Sequence, residues 1–252
     1  IGGAVDRGGT DDYVDIGTST TYVSTTAPFS VALWLNPDVF AASNNIPFTL
    51  KTNSTTGWAS TMFNDVSYRD FTFGKDNASS MKFSFPSGVT TGNWYHVVIT
   101  YNGNGFNTAT NYTASVNGSS VPVTTSGTLA SIDNESYIGR MRYNAGASNA
   151  YWNGKLDDFR LYNRQLSSDE ISQLYRLTAP TGTDTDLKGY WSFNGKDVSG
   201  TTAYDRSGVG NTGTLTGGPT VTPGKIGQAL LFDGVDDYVT IGDPASLRFG
   251  AE

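Results

Sequence analysis

The sequence predicts an all-β sandwich, and three observations carry that reading. Charged residues make up only 15% of the 252, while aromatics reach 13% and Gly numbers 30, the mixture that strands and their turns require. Short segments alternate at period two and end in Asn-Gly, Asn-Pro or Gly-rich turns. One segment alone carries a complete helix signature. Aromatics at this density bury enough surface to offset chain entropy, which excludes a disordered chain.

The elements follow in order. Phe29-Ser30-Val31-Ala32-Leu33-Trp34-Leu35 reads as a strand closed by Asn36-Pro37. Asp70-Phe71-Thr72-Phe73 and Met81-Lys82-Phe83-Ser84-Phe85 alternate, with Gly74-Lys75-Asp76-Asn77 between them. Trp94 to Tyr101 is apolar on both faces and predicts a central strand covered on both sides, ended by Asn102-Gly103. Thr113 to Val116 turns at Asn117-Gly118 into Val121-Pro122-Val123, a hairpin. Tyr137 to Met141 and Leu156 to Tyr162 are further strands. Ser168 to Leu177 is the helix: Ser167 and Glu170 form a capping box, and Ile171, Leu174 and Tyr175 make one apolar face.

Composition also excludes partners and chemistries. The net charge is −7 with no cluster of Lys and Arg, so nucleic acid and anionic membrane are poor partners. There is no Cys, which removes disulfides, thiolate zinc sites and thiol catalysis, and a single His, His96, leaves little room for His-based metal sites or a Ser-His-Asp triad. No apolar run approaches the ~18 residues of a membrane helix. The chain begins at Ile1 without Met or a signal peptide and reads as a processed or excerpted product.

An internal repeat sets the organisation. Residues 1–17, IGGAVDRGGTDDYVDIG, align without gaps on 226–242, IGQALLFDGVDDYVTIG, with ten of seventeen positions identical at an offset of 225. The reading divides the chain into a body over 1–177, a Thr/Pro/Gly linker over 178–186 and a second segment over 187–252.

FSVALWLNP (29–37), GNWYHVVITYNG (92–103), YTASVNGSSV (112–121) and NGKLDDFRLYNRQLSSDEISQLY (153–175) together resemble the laminin-G-like, concanavalin-A-like jelly-roll family. GYWSFNGKDVSGTTAYDRSGVGNTGTL (189–215) and GKIGQALLFDGVDDYVTIG (224–242) resemble the opening of the same domain. The resemblance implies a jelly roll of two curved antiparallel sheets with one short helix. It also implies a broken order: the body lacks its opening strand, and 187–252 is the opening of a second copy.

The same resemblance places a structural calcium at Asp157, on the last strand of the body. A carboxylate there, with Asp11 or Asp236 from the two copies of the Asp-Asp turn, offers hard oxygen ligands of the kind Ca²⁺ takes; Asp6 and Asp233 are weaker candidates. The alternative is an Asp that accepts turn amides or pairs with Arg160 or Arg140. Trp58 follows Thr55-Thr56-Gly57, a polar turn-like stretch, so its ring is either a sugar-stacking platform at a loop tip or an edge-packed cover of the sandwich. Tyr68, Tyr143 and Tyr151 are lesser platforms, and His96 reads as a hydrogen-bonded core residue.

Catalysis is not expected. The chain has three Glu, of which Glu170 is committed to the helix start. Only Asp pairs such as Asp157 and Asp158 remain, and neighbours on a strand point to opposite faces. The expected role is a non-catalytic, secreted or surface-displayed module. It works either as a structural or adhesive subunit joined head to tail with copies of itself, or as a binder of a glycan or protein ligand. The segment 187–252 cannot close its own sandwich. Its Tyr190, Trp191, Phe193, Leu230, Leu231 and Phe232 must seat on a body, in its own chain or in a neighbour. Leu231 and Phe232 stand where the first copy has Asp6 and Arg7, which makes the second copy the better strand and tilts the reading to the neighbour.

Overall fold

The computed structural model describes residues 14–15, 27–38, 46–51, 57–62, 70–75, 79–86, 88–128, 137–142, 149–176, 186–231 and 238–240. Asp6, Asp11, Asp233, Asp236, Phe232, Tyr68 and Tyr143 lie outside these residues. Two large antiparallel sheets face each other. The back sheet runs in the order β19 (Thr220–Pro223), β20 (Gln228–Leu231), β14 (Gly154–Tyr162), β2 (Phe29–Pro37), β7 (Tyr95–Tyr101), β8 (Tyr112–Val116) and β9 (Ser119–Val121), with β15 (Leu187–Trp191) also paired to β14. The front sheet runs β1 (Val14–Asp15), β11 (Tyr137–Ile138), β3 (Phe48–Lys51), β4 (Gly57–Met62), β5 (Asp70–Lys75), β6 (Ser79–Ser84) and β10 (Thr124–Thr128). A small sheet joins β16 (Val198–Ser199), β17 (Thr202–Ala203), β18 (Gly213–Thr216) and β21 (Tyr238–Thr240), and β12 (Arg140–Arg142) pairs with β13 (Asn149–Tyr151).

Alternation along each strand builds the core between the sheets. From β2, Phe29, Val31, Leu33 and Leu35 point inward to meet Phe48, Leu50, Phe71, Phe73, Met81 and Phe83 of the front sheet. Edge-on ring contacts cross the gap: Phe29 meets Phe73 at 6.1 Å and Phe48 meets Phe159 at 5.6 Å. The residues between them on β2 are buried as well, because the outer face of the back sheet is covered. There Ala32, Val98, Tyr162 and Tyr190 pack under Leu166 and Ile171 at the start of α1 (Ser168–Arg176). Burial on both faces makes β2 an unbroken run of nine buried residues.

The helix forms as its sequence directs. Ser167 Oγ accepts from the Glu170 amide and Glu170 Oε2 accepts from the Ser167 amide, a closed capping box. Two side chains then fasten the approach to the helix. Ser30 Oγ donates to the Arg164 carbonyl and accepts from the Leu166 amide. Arg164 reaches Glu170 at 2.8 Å and Asp186 at 3.1 Å, holding the start of α1 beside the start of β15.

Glycine is required where β14 begins. Gly154 has φ +138, and a Cβ there would lie 2.2 Å from the carbonyl oxygen of Asn36 on β2, next to its register partner Pro37. Gly154→Ala is therefore expected to destabilise the fold by about 3 kcal/mol, read as a lower urea midpoint with unchanged m-value.

Candidate functional site

Apart from Phe232, which lies outside the described residues, the residues expected to drive assembly belong to the segment that pairs along one edge of β14. β15 pairs with its second half, Trp191 opposite Phe159 and Tyr190 opposite Arg160, and β20 pairs with its first half, Leu230 opposite Leu156 and Leu231 opposite Lys155. All of these are in one chain. Tyr190, Trp191, Phe193 and Leu230 are buried, and Leu231 is partly buried against the same core. Each fully buried apolar side chain contributes about 1.5–3 kcal/mol, so this seam is a substantial part of the fold.

A β-bulge at Asp157–Asp158 shapes the seam. Asp158 sits at φ +54, and the register slips between Asp157 and Arg160. The strict alternation expected of neighbouring strand residues fails here, because a bulge inserts one residue and re-aims its side chain. Asp158 turns to the buried Arg160 guanidinium at 2.8 Å, and that guanidinium lies 4.4 Å over the Tyr190 ring. Asp157 is 1% exposed. Its Oδ2 accepts from the Lys225 and Ile226 amides at 3.0 and 3.1 Å, in the turn that leads to β20. Burial, and then the Asp158 charge, push its carboxyl up to about 7, although the Ile226 and Lys225 amides pull the other way. Neither carboxylate faces open solvent, and neither is free to act as an acid–base pair.

Calcium was implied at Asp157, and the donor set there is thin. Oδ1 is buried without a hydrogen-bond partner, so one carboxylate oxygen could serve a cation. Oδ2 is taken by the two amides, and Asp158 by Arg160. Ca²⁺ takes 6–8 oxygens, and the described residues alone do not compose such a shell; Asp11 and Asp236 lie outside them.

Trp58 is not at a loop tip. It lies in β4, opposite Leu50 on β3 and Lys75 on β5, and Leu50 is a core residue. The polar sequence around it misled, since Ala59-Ser60-Thr61 make a strand by pairing on both sides rather than by apolar pattern. His96 is buried as expected, yet its Nδ1 has no hydrogen-bond partner. It packs instead against Trp34 at 4.9 Å and Tyr175 at 5.9 Å, in the outer layer beside α1. Burial, and then the Arg160 charge, lower its pKa to about 3.

The exposed aromatic that sequence reasoning missed is Tyr204. It is 41% exposed, in a loop held rigid by Asp205. Asp205 Oδ1 accepts from the Tyr190 and Ser207 amides, and Oδ2 from the Ser207 hydroxyl and the Gly210 and Asn211 amides. Asn211 ties the loop back to β15, donating to the Lys188 carbonyl and accepting from Trp191 Nε1 at 2.9 Å. Arg206, paired to the buried Asp197, lies 5.9 Å from the Tyr204 ring, and Val209 is exposed nearby in sequence. The loop thus presents a flat ring and a fixed guanidinium side by side. The signal was Asp205-Arg206-Ser207-Gly208, where an Asp before Ser-Gly caps a turn with its own carboxylate.

A family model described as the concanavalin A-like lectin/glucanases superfamily matches residues 8–172. The chain belongs to this superfamily. Among solved structures, a Bacteroides ovatus protein whose own carbohydrate binding is a provisional assignment is similar over 92% of this chain and 62% of its own, at 18% identity and TM-score 0.60. A heptameric pentraxin from Limulus polyphemus matches 65% of this chain and 80% of its own, at 16% identity and TM-score 0.41. Domain 4 of an extracellular arabinanase from Geobacillus stearothermophilus, solved with arabinotriose, matches 61% and 68%, at 18% identity and TM-score 0.36. No curated protein sequence matches the chain. Superfamily membership agrees with the jelly-roll architecture read from the sequence. Among the described residues, no helix is long and apolar enough to cross a membrane.

The two buried groups of this lectin-like fold have opposite pH signatures. Asp157 holds its proton more tightly folded than unfolded, so its contribution is full below about pH 4 and is lost as pH rises to about 7. His96 excludes its proton when folded, so its contribution is full above pH 6.5 and is lost as pH falls toward 3. Each has a slope of about 1.4 kcal/mol per pH unit in its window, and between about pH 4 and 6.5 they cancel. In chelator-containing buffer, Asp157→Asn is expected to leave stability climbing with pH across that range. His96→Leu is expected to leave it falling. Urea titrations at four or five pH values check both slopes.

Proposed function

We propose that this chain is a non-catalytic, extracellular carbohydrate-binding module, closed by its own 187–252 segment and contacting glycan through the Tyr204–Arg206 loop. The observation that carries this reading is the filled edge of β14. With β15 and β20 of the same chain on that edge, a binding unit can close without a neighbour, which supports this reading. Superfamily membership supports glycan as the ligand class. The Tyr204 ring offers a stacking face, and Arg206, fixed by Asp197, offers donors to sugar hydroxyls.

A second reading keeps the same seam but forms it between copies. The nine linker residues span at most ~30 Å when extended, which permits a neighbouring body as well. Calcium enters only through Asp157 Oδ1 together with Asp11 and Asp236. A melting temperature that falls on chelation in the parent and not in Asp157→Asn would support it.

Size separates the two readings. A monodisperse monomer at micromolar concentration is expected of the closed module, whereas filaments that vanish on deleting 183–252 would favour assembly. That deletion is expected to leave 1–182 poorly folded under either reading, with rescue on adding the missing segment back. On a glycan array, Tyr204→Ala and Arg206→Ala are each expected to weaken binding about tenfold with unchanged circular dichroism. An array with no signal, or signals from both variants equal to the parent's, would set the glycan reading aside.

A further inference from the structure

The repeat contributes two short strands to the fold, Val14–Asp15 from its first copy and Tyr238–Thr240 from its second, and the two approach each other. Val14–Asp15, in β1, pairs on one edge with β11: Val14 lies opposite Ile138 and Asp15 opposite Tyr137. Val239–Thr240, the aligned residues of the second copy, pairs on one edge with β18: Val239 lies opposite Leu215 and Thr240 opposite Thr214. β1 and β21 approach within 8 Å, yet among the described residues no ladder joins them. Two strands from aligned stretches of the repeat thus lie near each other in two sheets that remain separate.

One strand would satisfy both partners. The repeat alignment equates Val14 with Val239 and Asp15 with Thr240. Superposing the two ladders puts a single Val between Leu215 and Ile138, and a single Thr between Thr214 and Tyr137. Leu215, Val239 and Ile138 are all core residues, so the merged row faces inward without a slip. Parity need not have matched, since a one-residue slip would have sent the row to the wrong face. The second copy is the better occupant, because Thr suits a strand and Asp does not. It also continues from β20, already fastened on β14.

We propose that β1 and β21 are alternative occupants of one strand seat between β18 and β11, and that β21 is the occupant that fits it. When β21 takes both edges, the front sheet and the small sheet become one continuous sheet, and the gap closes by one strand spacing of about 4.8 Å. The site is a β-strand receptor that takes the Tyr-Val-Thr strand supplied by residues 238–240 of this chain. Residues 1–17 are then surplus to the fold, and the complete module is 28–242.

The chain has no Cys, so introduced pairs report on seat occupancy without interference. Residues facing each other on neighbouring antiparallel strands have Cα atoms about 4.5–5.5 Å apart, within disulfide range, whereas residues two strands apart do not. In the full chain, Val14→Cys with Ile138→Cys serves as the control and is expected to close while β1 holds the seat. Val14→Pro with Asp15→Pro, again in the full chain, removes β1 from the ladder. This variant is expected to melt within about 2 °C of the parent. Adding Ile138→Cys and Val239→Cys to it is expected to give a disulfide within one chain. Three results would overturn the proposal: loss of more than about 5 °C on unseating β1, a 138–239 pair that stays open while the control closes, or a 138–239 bond formed between chains, which would make the occupant a second copy.

Discussion

The fold depends on the pairing of the second edge of β14. This nine-residue strand is central to the back sheet and buried along almost all its length. On one side it pairs with β2. Its other side would present a row of backbone donors and acceptors beside a greasy core, which no stable protein leaves open. β15 and β20 fill that side in two pieces, and the bulge at Asp157–Asp158 falls where one piece gives way to the other. The helix, the outer aromatic layer and the Asp205 loop all hang from strands that this pairing positions.

Polar groups buried at the seam give it orientation rather than strength. Asp158 and Arg160 are both nearly inaccessible, and an ion pair so deep gains little over a well-packed apolar pair while punishing any arrangement that separates the charges. Tyr190 covers the guanidinium, and the Lys225 and Ile226 amides meet Asp157. A segment docked one residue out of register would leave a carboxylate or a guanidinium buried alone. Apolar contacts hold the segment on the body, and the charges fix where it sits.

Much of this was legible in the sequence. Strands with a clean period-two pattern, such as those read at 70–73 and 81–85, and the capped helix announced themselves. Three things were not legible, each for a physical reason. β4 is built of Gly, Ala, Ser and Thr around Trp58, and strands paired on both sides need no apolar pattern of their own. The bulge depends on Asp158 adopting a positive φ, which Asp tolerates but does not announce. Tyr204 is exposed because Asp205 pins its loop, and one carboxylate receiving five bonds from residues up to fifteen positions away is a tertiary fact.

Arg164 gripping Glu170 and Asp186 has a consequence for the stretch between helix and β15. Its two ends are held in place by the fold on either side. Loop-closure cost grows only logarithmically with length, about 0.6 kcal/mol per doubling. The join is therefore a natural place for evolution, or an engineer, to insert a tag, a sensor domain or a cleavage sequence. A chain cut there would behave as a two-piece complementation pair, its halves held by the β14 seam and clasped by a single arginine.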